Sequence, residues 1–479
     1  MLGGQLKRLA RHSAIYGLGG LVSRVVAIIL LPLYTAYLET DDLGAVGLVV
    51  ALVAILVTIL RGGVSSAFFR FYFDAVEHAA RVTLLRTCFW FTMATATAGL
   101  LAGLLLAQPI ASALGLGDEP NVVRAAFVGL WAQMNYEQLT ALFRVEERSV
   151  AFLVASLANI AITVAATLVL VVGFEQGALG VVVGNFTGTL VVYLALLGYR
   201  REQLGLELDR RLLRELQRFG LPLVPSALAL VAINFSDRFF VGHFAGVAEV
   251  GRYELGVRIA SAMVLLLTAF RTAWPAFAYS ISDEDEARRT YGYVLTYLVL
   301  VASWLALTLG LLAPWLVRVL APAEPDFWPG ARVVAPLAFA AAAYAGYIVV
   351  SIGVGRARRT GFNWIVTGFA ALVNVALNLI LVPPFGMSGA AAAAVCAYAV
   401  LFAVMTWHAQ RIYPVPYQWR RVGTALAVAA VLTVAGKVLD VPLVVAILLA
   451  ASYPLLLFPL GFYLPTERAR IRRLVPLLR

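Results

Sequence analysis

The chain falls into about fourteen stretches of roughly 17 to 28 mostly apolar residues, divided by short polar punctuation. At about 1.5 Å of rise per residue, each stretch can cross the roughly 30 Å hydrocarbon core of a bilayer as a helix. The spacing predicts spans at 13–38, 44–72, 82–107, 121–142, 150–172, 178–199, 219–243, 250–280, 290–317, 331–354, 361–382, 388–410, 422–438 and 441–463. Little chain remains for a soluble domain. The chain is 62% hydrophobic and 13% charged, far more apolar than the roughly 45–50% of a soluble domain. The expected fold class is an all-α polytopic membrane protein with about 14 transmembrane helices.

A net charge of +11 in a soluble chain would suggest nucleic-acid binding. Here the basic residues occupy alternate loops, among them Lys7, Arg8 and Arg11, then Arg81 and Arg86, Arg144 and Arg148, and Arg200 to Arg218. The intervening loops are acidic or neutral, as at Glu39, Asp41 and Asp42. By the positive-inside rule both termini are cytoplasmic, which requires an even number of spans. The first apolar run has no small-residue cleavage signal and reads as an uncleaved span. Cys88 and Cys396 both lie at or inside apolar runs and read as small buried hydrophobes. The four histidines have no companions at ligand spacing, so no metal site is expected. No Walker A sequence supports direct use of ATP.

Six spans occupy residues 1–199, a basic linker 200–218, six more spans 219–411, and two further spans with a basic tail 412–479. In the linker, Asp209 to Arg218 carries apolar residues at helical spacing among cations, which suggests a short interfacial helix; a solvated basic linker is the alternative. An internal repeat supports the division. Leu38-Glu-Thr-Asp-Asp-Leu-Gly resembles Ala245-Gly-Val-Ala-Glu-Val-Gly, aligning Gly44 with Gly251, and Gly177-Ala-Leu-Gly180 aligns with Gly386-Met-Ser-Gly389. Spans one and seven begin on the same side, so the repeat is parallel, with its axis along the membrane normal.

Charges deep inside spans are the candidate functional residues. Arg24 lies about eleven residues into the first span, too deep to snorkel easily, and membrane arginines cost about 2.5–3.5 kcal/mol on insertion scales. Arg61, Asp237, Arg238, Glu254, Arg258 and Arg271 follow in spans two, seven and eight. Such charges face a bundle interior, a partner or a polar cavity. Counting from the span ends puts Arg61 and Arg271 in the inner part, Arg24 near the middle, and Arg238 and Arg258 in the outer part. Arginine suits a diphosphate because its planar fork donates bidentately and stays protonated. Asp237 and Glu254 are candidates for exchanging a proton or Na⁺. Other readings stand beside these: Asp237 and Arg258 as a structural ion pair, Arg238 reaching the outer interface, and Glu137 pairing with Arg144 and Arg148. Tyr34, Tyr37, Trp274 and Tyr279 could stack on sugars or form an aromatic belt.

The segments Leu31-Pro-Leu-Tyr-Thr-Ala-Tyr-Leu with Asp42-Leu-Gly, Ser65-Ser-Ala-Phe-Phe-Arg-Phe-Tyr-Phe, Phe143-Arg-Val-Glu-Glu-Arg, Ser236-Asp-Arg-Phe-Phe-Val-Gly-His-Phe and Asn374-Val-Ala-Leu-Asn resemble the multidrug/oligosaccharidyl-lipid/polysaccharide (MOP) exporter superfamily. The likeness is to its polysaccharide transporter branch of Wzx-type flippases, and it runs from span one to span twelve. The resemblance implies two pseudo-symmetric six-helix lobes forming a V-shaped central cavity, lined by spans one, two, seven and eight, plus two extra C-terminal helices. Ser23-Arg-Val is similar to the first helix of the lipid II flippase branch, which implies a cavity role for Arg24. Other arginines of that helix are replaced here by Ile28, Ile29 and Leu30, which points away from lipid II itself.

The implied function is translocation of an undecaprenyl-diphosphate-linked oligosaccharide across a bacterial inner membrane by alternating access, coupled to an ion gradient and without a cofactor. Implied partners are the polyprenyl-diphosphate-linked oligosaccharide, membrane lipid, and the polymerase and glycosyltransferases of the same polysaccharide. Two other functions compete. A MATE-like cation antiporter would want an acidic or aromatic cavity, whereas the deep charges are mainly arginine. A membrane glycosyltransferase or polymerase could use Asp41 and Asp42, but the external loops are too short for an acceptor site. The expectation is a transporter and not an enzyme.

Overall fold

The computed structural model describes residues 22, 25–75, 77–117, 119–357, 359–465 and 467–468. Arg24, the preceding half of the first predicted span and the basic tail lie outside them. Among the described residues there is helix and no strand. In chain order the helices are α1 (Val25–Tyr37), α2 (Thr40–Leu60), α3 (Val64–Asp74), α4 (His78–Leu105), α5 (Ala107–Ala113), α6 (Pro120–Val145), α7 (Ser149–Leu168), α8 (Gly177–Tyr199), α9 (Arg210–Gly220), α10 (Val224–Ala245), α11 (Val247–Ala260), α12 (Ala262–Ser280), α13 (Glu284–Leu320), α14 (Ala331–Arg356), α15 (Asn363–Ile412), α16 (Trp419–Val438) and α17 (Leu443–Leu456). Among the described residues, ten helical stretches are long and apolar enough to cross a membrane. Only 17% of the most apolar window of Ser149–Gly173 is buried within the protein, so the rest of that face needs a non-aqueous solvent.

Every predicted span holds helix, with instructive departures at the punctuation. The second is two helices, because Gly62 (φ +49°) and Gly63 (φ +73°) break it directly after Arg61. Left-handed backbone of this kind is open to glycine and costly for other residues. Spans eleven and twelve are two helices within Asn363–Ile412, together α15, that meet at Gly386, where the backbone leaves helical geometry at φ +52° just after Pro383 and Pro384. The stretch from Asp209 is helical, α9, with the Asp209 side chain accepting from the backbone N–H groups of Arg211 and Leu212. Cys88 is buried as expected, whereas Cys396 is exposed on α15. An apolar run does not say which of its faces turns inward.

The chain forms two compact units, Met1–Glu254 with Ala321–Phe327 and Val375–Ala390, and Leu255–Leu320 with Trp328–Asn374 and Ala391–Arg479. In the first, α6 packs on α4 and α8, α7 on α8, and α2 on α10. Small residues make these approaches possible, since van der Waals fit rather than water drives helix association in lipid. Gly184 and Gly188 face α7 so closely that an added Cβ would stand 2.4 Å from Thr167 Oγ1 and 2.3 Å from the Asn159 carbonyl oxygen, respectively. The repeat-related glycines lie together: a Cβ on Gly251 would meet the Thr40 carbonyl oxygen at 1.9 Å and the Gly44 nitrogen at 3.1 Å. In the second unit α13 packs against α14, α16 and α17, over a core that includes Leu307, Ala429 and Tyr453.

Candidate functional site

Among the described residues, the candidate charges of the first unit fall in two clusters, near opposite ends of α2. The first arises from the hairpin of α10 and α11. Gly246, at φ +91°, turns the chain, and Arg238 and Glu254 lie eight residues on either side of it. An antiparallel helix pair brings such positions to the same level. Arg238 Nε donates to Glu254 Oε1 at 2.6 Å, and Nη1 donates to Asp237 Oδ1 at 2.7 Å and to the Asn234 carbonyl oxygen. Tyr253 donates its hydroxyl to Asp237 Oδ2. Exposure is 3% for Asp237, 5% for Arg238 and 8% for Glu254. Phe235 and Tyr253 rings flank the guanidinium, and α2 closes the site through Gly47, where a Cβ would sit 2.6 Å from Glu254 Cγ.

This arrangement corrects two expectations. Arg238 does not reach an interface; it is buried and multiply bonded. Asp237, whose expected partner is Arg258, is held by its sequence neighbour Arg238 and by Tyr253, which the turn at Gly246 brings level with it. Two carboxylates face one guanidinium, so with both ionised the cluster carries one formal negative charge in excess. A proton or a monovalent cation would neutralise it.

The second cluster is at the break after α2. Arg61 Nη2 lies 2.7 Å from Glu137 Oε2 of α6, with the two side chains 20% and 36% exposed. That nitrogen makes no aligned hydrogen bond, so the contact is mainly Coulombic. Glu137 Oε1 accepts from Gln133 at 2.9 Å. The partner of Glu137 is therefore Arg61, not Arg144 or Arg148; Arg144 lies against the rings of Phe69 and Phe152 and Arg148 against those of Phe143 and Tyr199. Gly47 and Arg61 are fourteen residues apart, about 21 Å along a helix axis. The clusters thus lie at two depths of one helix.

The break is braced by the linker. A Cβ on Gly63 would stand 2.1 Å from the carbonyl oxygen of Gly220, the last residue of α9. Arg86 donates to the Gln203 carbonyl oxygen at 3.1 Å and to Glu207 Oε2 at 2.9 Å, and Trp90 to the Gly205 carbonyl oxygen at 3.1 Å. The Arg86 and Thr83 hydrogen bonds hold the Glu207 carboxyl below its ordinary value.

Of the other predicted residues, Arg258 is half-buried on α11 and Arg271 exposed on α12, both in the second unit. Trp274 is buried, stacked on Phe270 and edge-on to Tyr291, so it belongs to the core and not to a belt. Asp42 is engaged at the start of α2: its carboxylate accepts from the Glu39 backbone N–H at 3.1 Å and the Ala178 backbone N–H at 2.8 Å. Sequence reasoning passed over the polar pairs Asn159/Thr163 on α7 and Asn185/Thr189 on α8. Their spacing of four residues inside apolar runs puts each pair on one helix face and was the available signal.

This helical architecture is similar in fold to that of solved membrane transporters. The chain is similar to the lipid II flippase MurJ in an inward closed conformation, with a TM-score of 0.76 and 11% identity over 92% of this chain and 97% of the other. It is also similar to an inward-facing multidrug resistance transporter of the MATE family, with a TM-score of 0.69 and 15% identity over 86% and 95% of the two chains. A MOP superfamily transporter from Pyrococcus furiosus aligns with a TM-score of 0.62 and 16% identity, over 88% and 96%. At these identities the likeness is one of fold. The chain belongs to the polysaccharide biosynthesis protein family, whose profile matches residues 36–323. No curated protein matches the sequence.

Proposed function

We propose that the chain is a flippase carrying a polyprenyl-diphosphate-linked oligosaccharide from the cytoplasmic to the outer leaflet of a bacterial inner membrane, with both termini cytoplasmic. Membership of a polysaccharide biosynthesis family and the MurJ-like fold support this reading. The observation that carries it is the half-exposed Arg61–Glu137 pair at the break of α2. Its guanidinium is held by one carboxylate without an aligned hydrogen bond, so a diphosphate can replace that carboxylate through bidentate bonds. Arg24, Arg258 and Arg271 are the further cations proposed to follow the headgroup. Residues 1–199 and 219–411 are the proposed alternating halves, joined by the linker 200–218, with 412–479 added outside them.

The charge excess at Asp237, Arg238 and Glu254 supports coupling to a proton or Na⁺ gradient. Neutralising that excess changes how α10 and α11 hold together and face α2, which gives the ion differential affinity for two states. An enzymatic reading has little to stand on. Asp42, its candidate base, is engaged by two backbone N–H groups. The MATE-like fold and the acidic excess favour cation antiport as the second reading. Reconstitution with a fluorescent polyprenyl-diphosphate sugar under an imposed ion gradient separates them. Wild type should translocate the lipid, and Arg24→Ala and Arg61→Ala should each lose most of that activity while inserting normally. Transport of lipophilic cations with no lipid movement would establish the antiporter instead.

A further inference from the structure

Beside the Arg61–Glu137 pair, the first unit contains a cavity of about 330 Å³ between α1, α6, α7 and α8. Its volume lies at the lower end of the roughly 300–1,000 Å³ found for ligand pockets, and corresponds to about ten waters at roughly 30 Å³ each. One wall is apolar, from Val26, Ala27 and Leu30. The remaining lining is mixed: Gln133, Glu137, Asn159, Thr163, Asn185 and Thr189 are polar, Ile160 and Val164 of α7 are apolar, and Tyr34, Tyr136 and Phe186 supply ring surface.

The chemistry of this lining selects the ligand. A lipid tail is excluded because it would strip water from amides and hydroxyls without replacing their hydrogen bonds. A cation is disfavoured because Glu137, the only carboxylate among the described lining residues, already faces Arg61 at 2.7 Å. A second anion finds no positive group among the described lining residues. What remains is a neutral molecule rich in hydroxyls with an apolar ring face. Amide and hydroxyl groups of both polarities take the hydroxyls, and aromatic surface takes the C–H face.

The polar wall is also prearranged. Asn159 Oδ1 accepts from Thr163 at 3.3 Å and from Thr189 at 3.5 Å, and Thr163 reaches the Asn185 carbonyl oxygen at 3.2 Å. This network holds the α7 and α8 faces in register across the Gly188 contact. The Asn185 side chain is exposed and has no hydrogen-bond partner among the described residues, so its amide is open to a ligand. Glu137 links this cavity to the proposed diphosphate site, with Oε2 on Arg61 and Oε1 on Gln133. A sugar bonded directly to a diphosphate is within a few bonds of it, and the two sites share one carboxylate.

We propose that this cavity is a saccharide subsite, taking one neutral sugar ring of the carried headgroup while Arg61 takes the diphosphate. The inference rests on the flippase reading above and adds where the cargo is recognised as glycosylated. The first unit would then sense the sugar, and the bare carrier lipid would bind without filling the pocket. Selection of loaded over unloaded carrier follows, because only the loaded lipid replaces the water on the polar wall.

The test measures binding to the full-length protein in nanodiscs with two probes: a polyprenyl diphosphate, and the same lipid carrying one neutral hexose. Wild type should bind the glycosylated lipid about tenfold more tightly. Asn185→Leu removes the open amide, and Val26→Trp fills the cavity from its apolar wall. Each should abolish the preference and leave affinity for the bare lipid unchanged. Equal affinities in wild type, or a preference that survives both variants, would overturn the saccharide subsite alone. Binding of neither lipid would end both this inference and the flippase reading. Loss of both affinities in a variant that retains the wild-type melting temperature would assign the cavity to the diphosphate and also overturn the proposal.

Discussion

Arg238 and Arg61 are both arginines placed by the sequence inside membrane spans and both paired with carboxylates, yet their surroundings differ. Arg238 is 5% exposed and bonded to two carboxylates and a backbone carbonyl. Arg61 is 20% exposed in its side chain, faces one carboxylate, and lies where the helix ends. The difference teaches that a deep charge can be either a fixed structural element or an exchangeable one, according to how completely its donors are satisfied. A buried, saturated set is costly to break and slow to offer itself to a ligand. A half-exposed pair is worth little to stability and can be displaced.

Removing the guanidinium at the buried site should have the largest effect. Arg238→Ala leaves two buried carboxylates without a cationic partner, and a loss of about 3–5 kcal/mol is expected. A thermal melt in detergent that matches wild type would dissolve the contrast with Arg61. Replacing the whole set, as Asp237→Leu, Arg238→Met and Glu254→Leu together, should recover most of that stability while transport no longer responds to an ion gradient. Continued gradient response in the triple variant would move coupling elsewhere.

The next effect is steric and leaves every charge in place. Gly47→Ala drives a methyl group against Glu254 Cγ, and overpacking of this kind costs about 1–3 kcal/mol. Its melting temperature should lie between those of wild type and Arg238→Ala; no shift would mean that α2 does not support the cluster. At the other end of α2, Arg61→Gln should change stability by less than about 1 kcal/mol and yet reduce lipid translocation at least tenfold. Arg61→Lys should restore only part of it, because an ammonium lacks the bidentate fork. Full translocation by Arg61→Gln would remove the exchangeable role.

The smallest effect concerns the linker. The Glu207 carboxyl is lowered by its bonds from Arg86 and Thr83, so its contribution is present above the ordinary glutamate value. It is lost as pH falls through the lowered folded value. Hydrogen exchange of the 203–209 amides should therefore stay constant, after correction for intrinsic rates, from neutral pH down to the carboxylate range. Protection should then fall on further acidification, and Glu207→Gln should lack that step. A step that persists in the variant would assign it to another group.

Much of this molecule can be read along the chain. The series of helices long and apolar enough to cross a membrane, and the likeness of the segments around Gly44 and Gly251, rest on hydropathy, helical rise and residue spacing, which are local quantities. The presence of costly charges at Arg61, Asp237, Arg238 and Glu254 is equally local. Their partners are not. Arg238 meets Glu254, and Asp237 meets Tyr253, because a single glycine of positive φ, Gly246, sets the level at which α10 and α11 face each other. Glu137 meets Arg61 instead of the nearby Arg144 because α2 stops at Gly62 and Gly63 and turns that side chain toward α6. Neither turn leaves a trace in hydropathy.

Hydropathy along the chain was enough to specify a bundle of membrane-crossing helices that carries basic and acidic groups within its apolar runs, since the bilayer allows so few alternatives for the backbone. Only the tertiary structure decided which of those groups are saturated, which remain open, and that two pairs of polar residues on α7 and α8 form one wall of a cavity. The physical reason is that pairing energies depend on ångström-scale distance and desolvation, and both are set by how helices cross and turn rather than by what each contains.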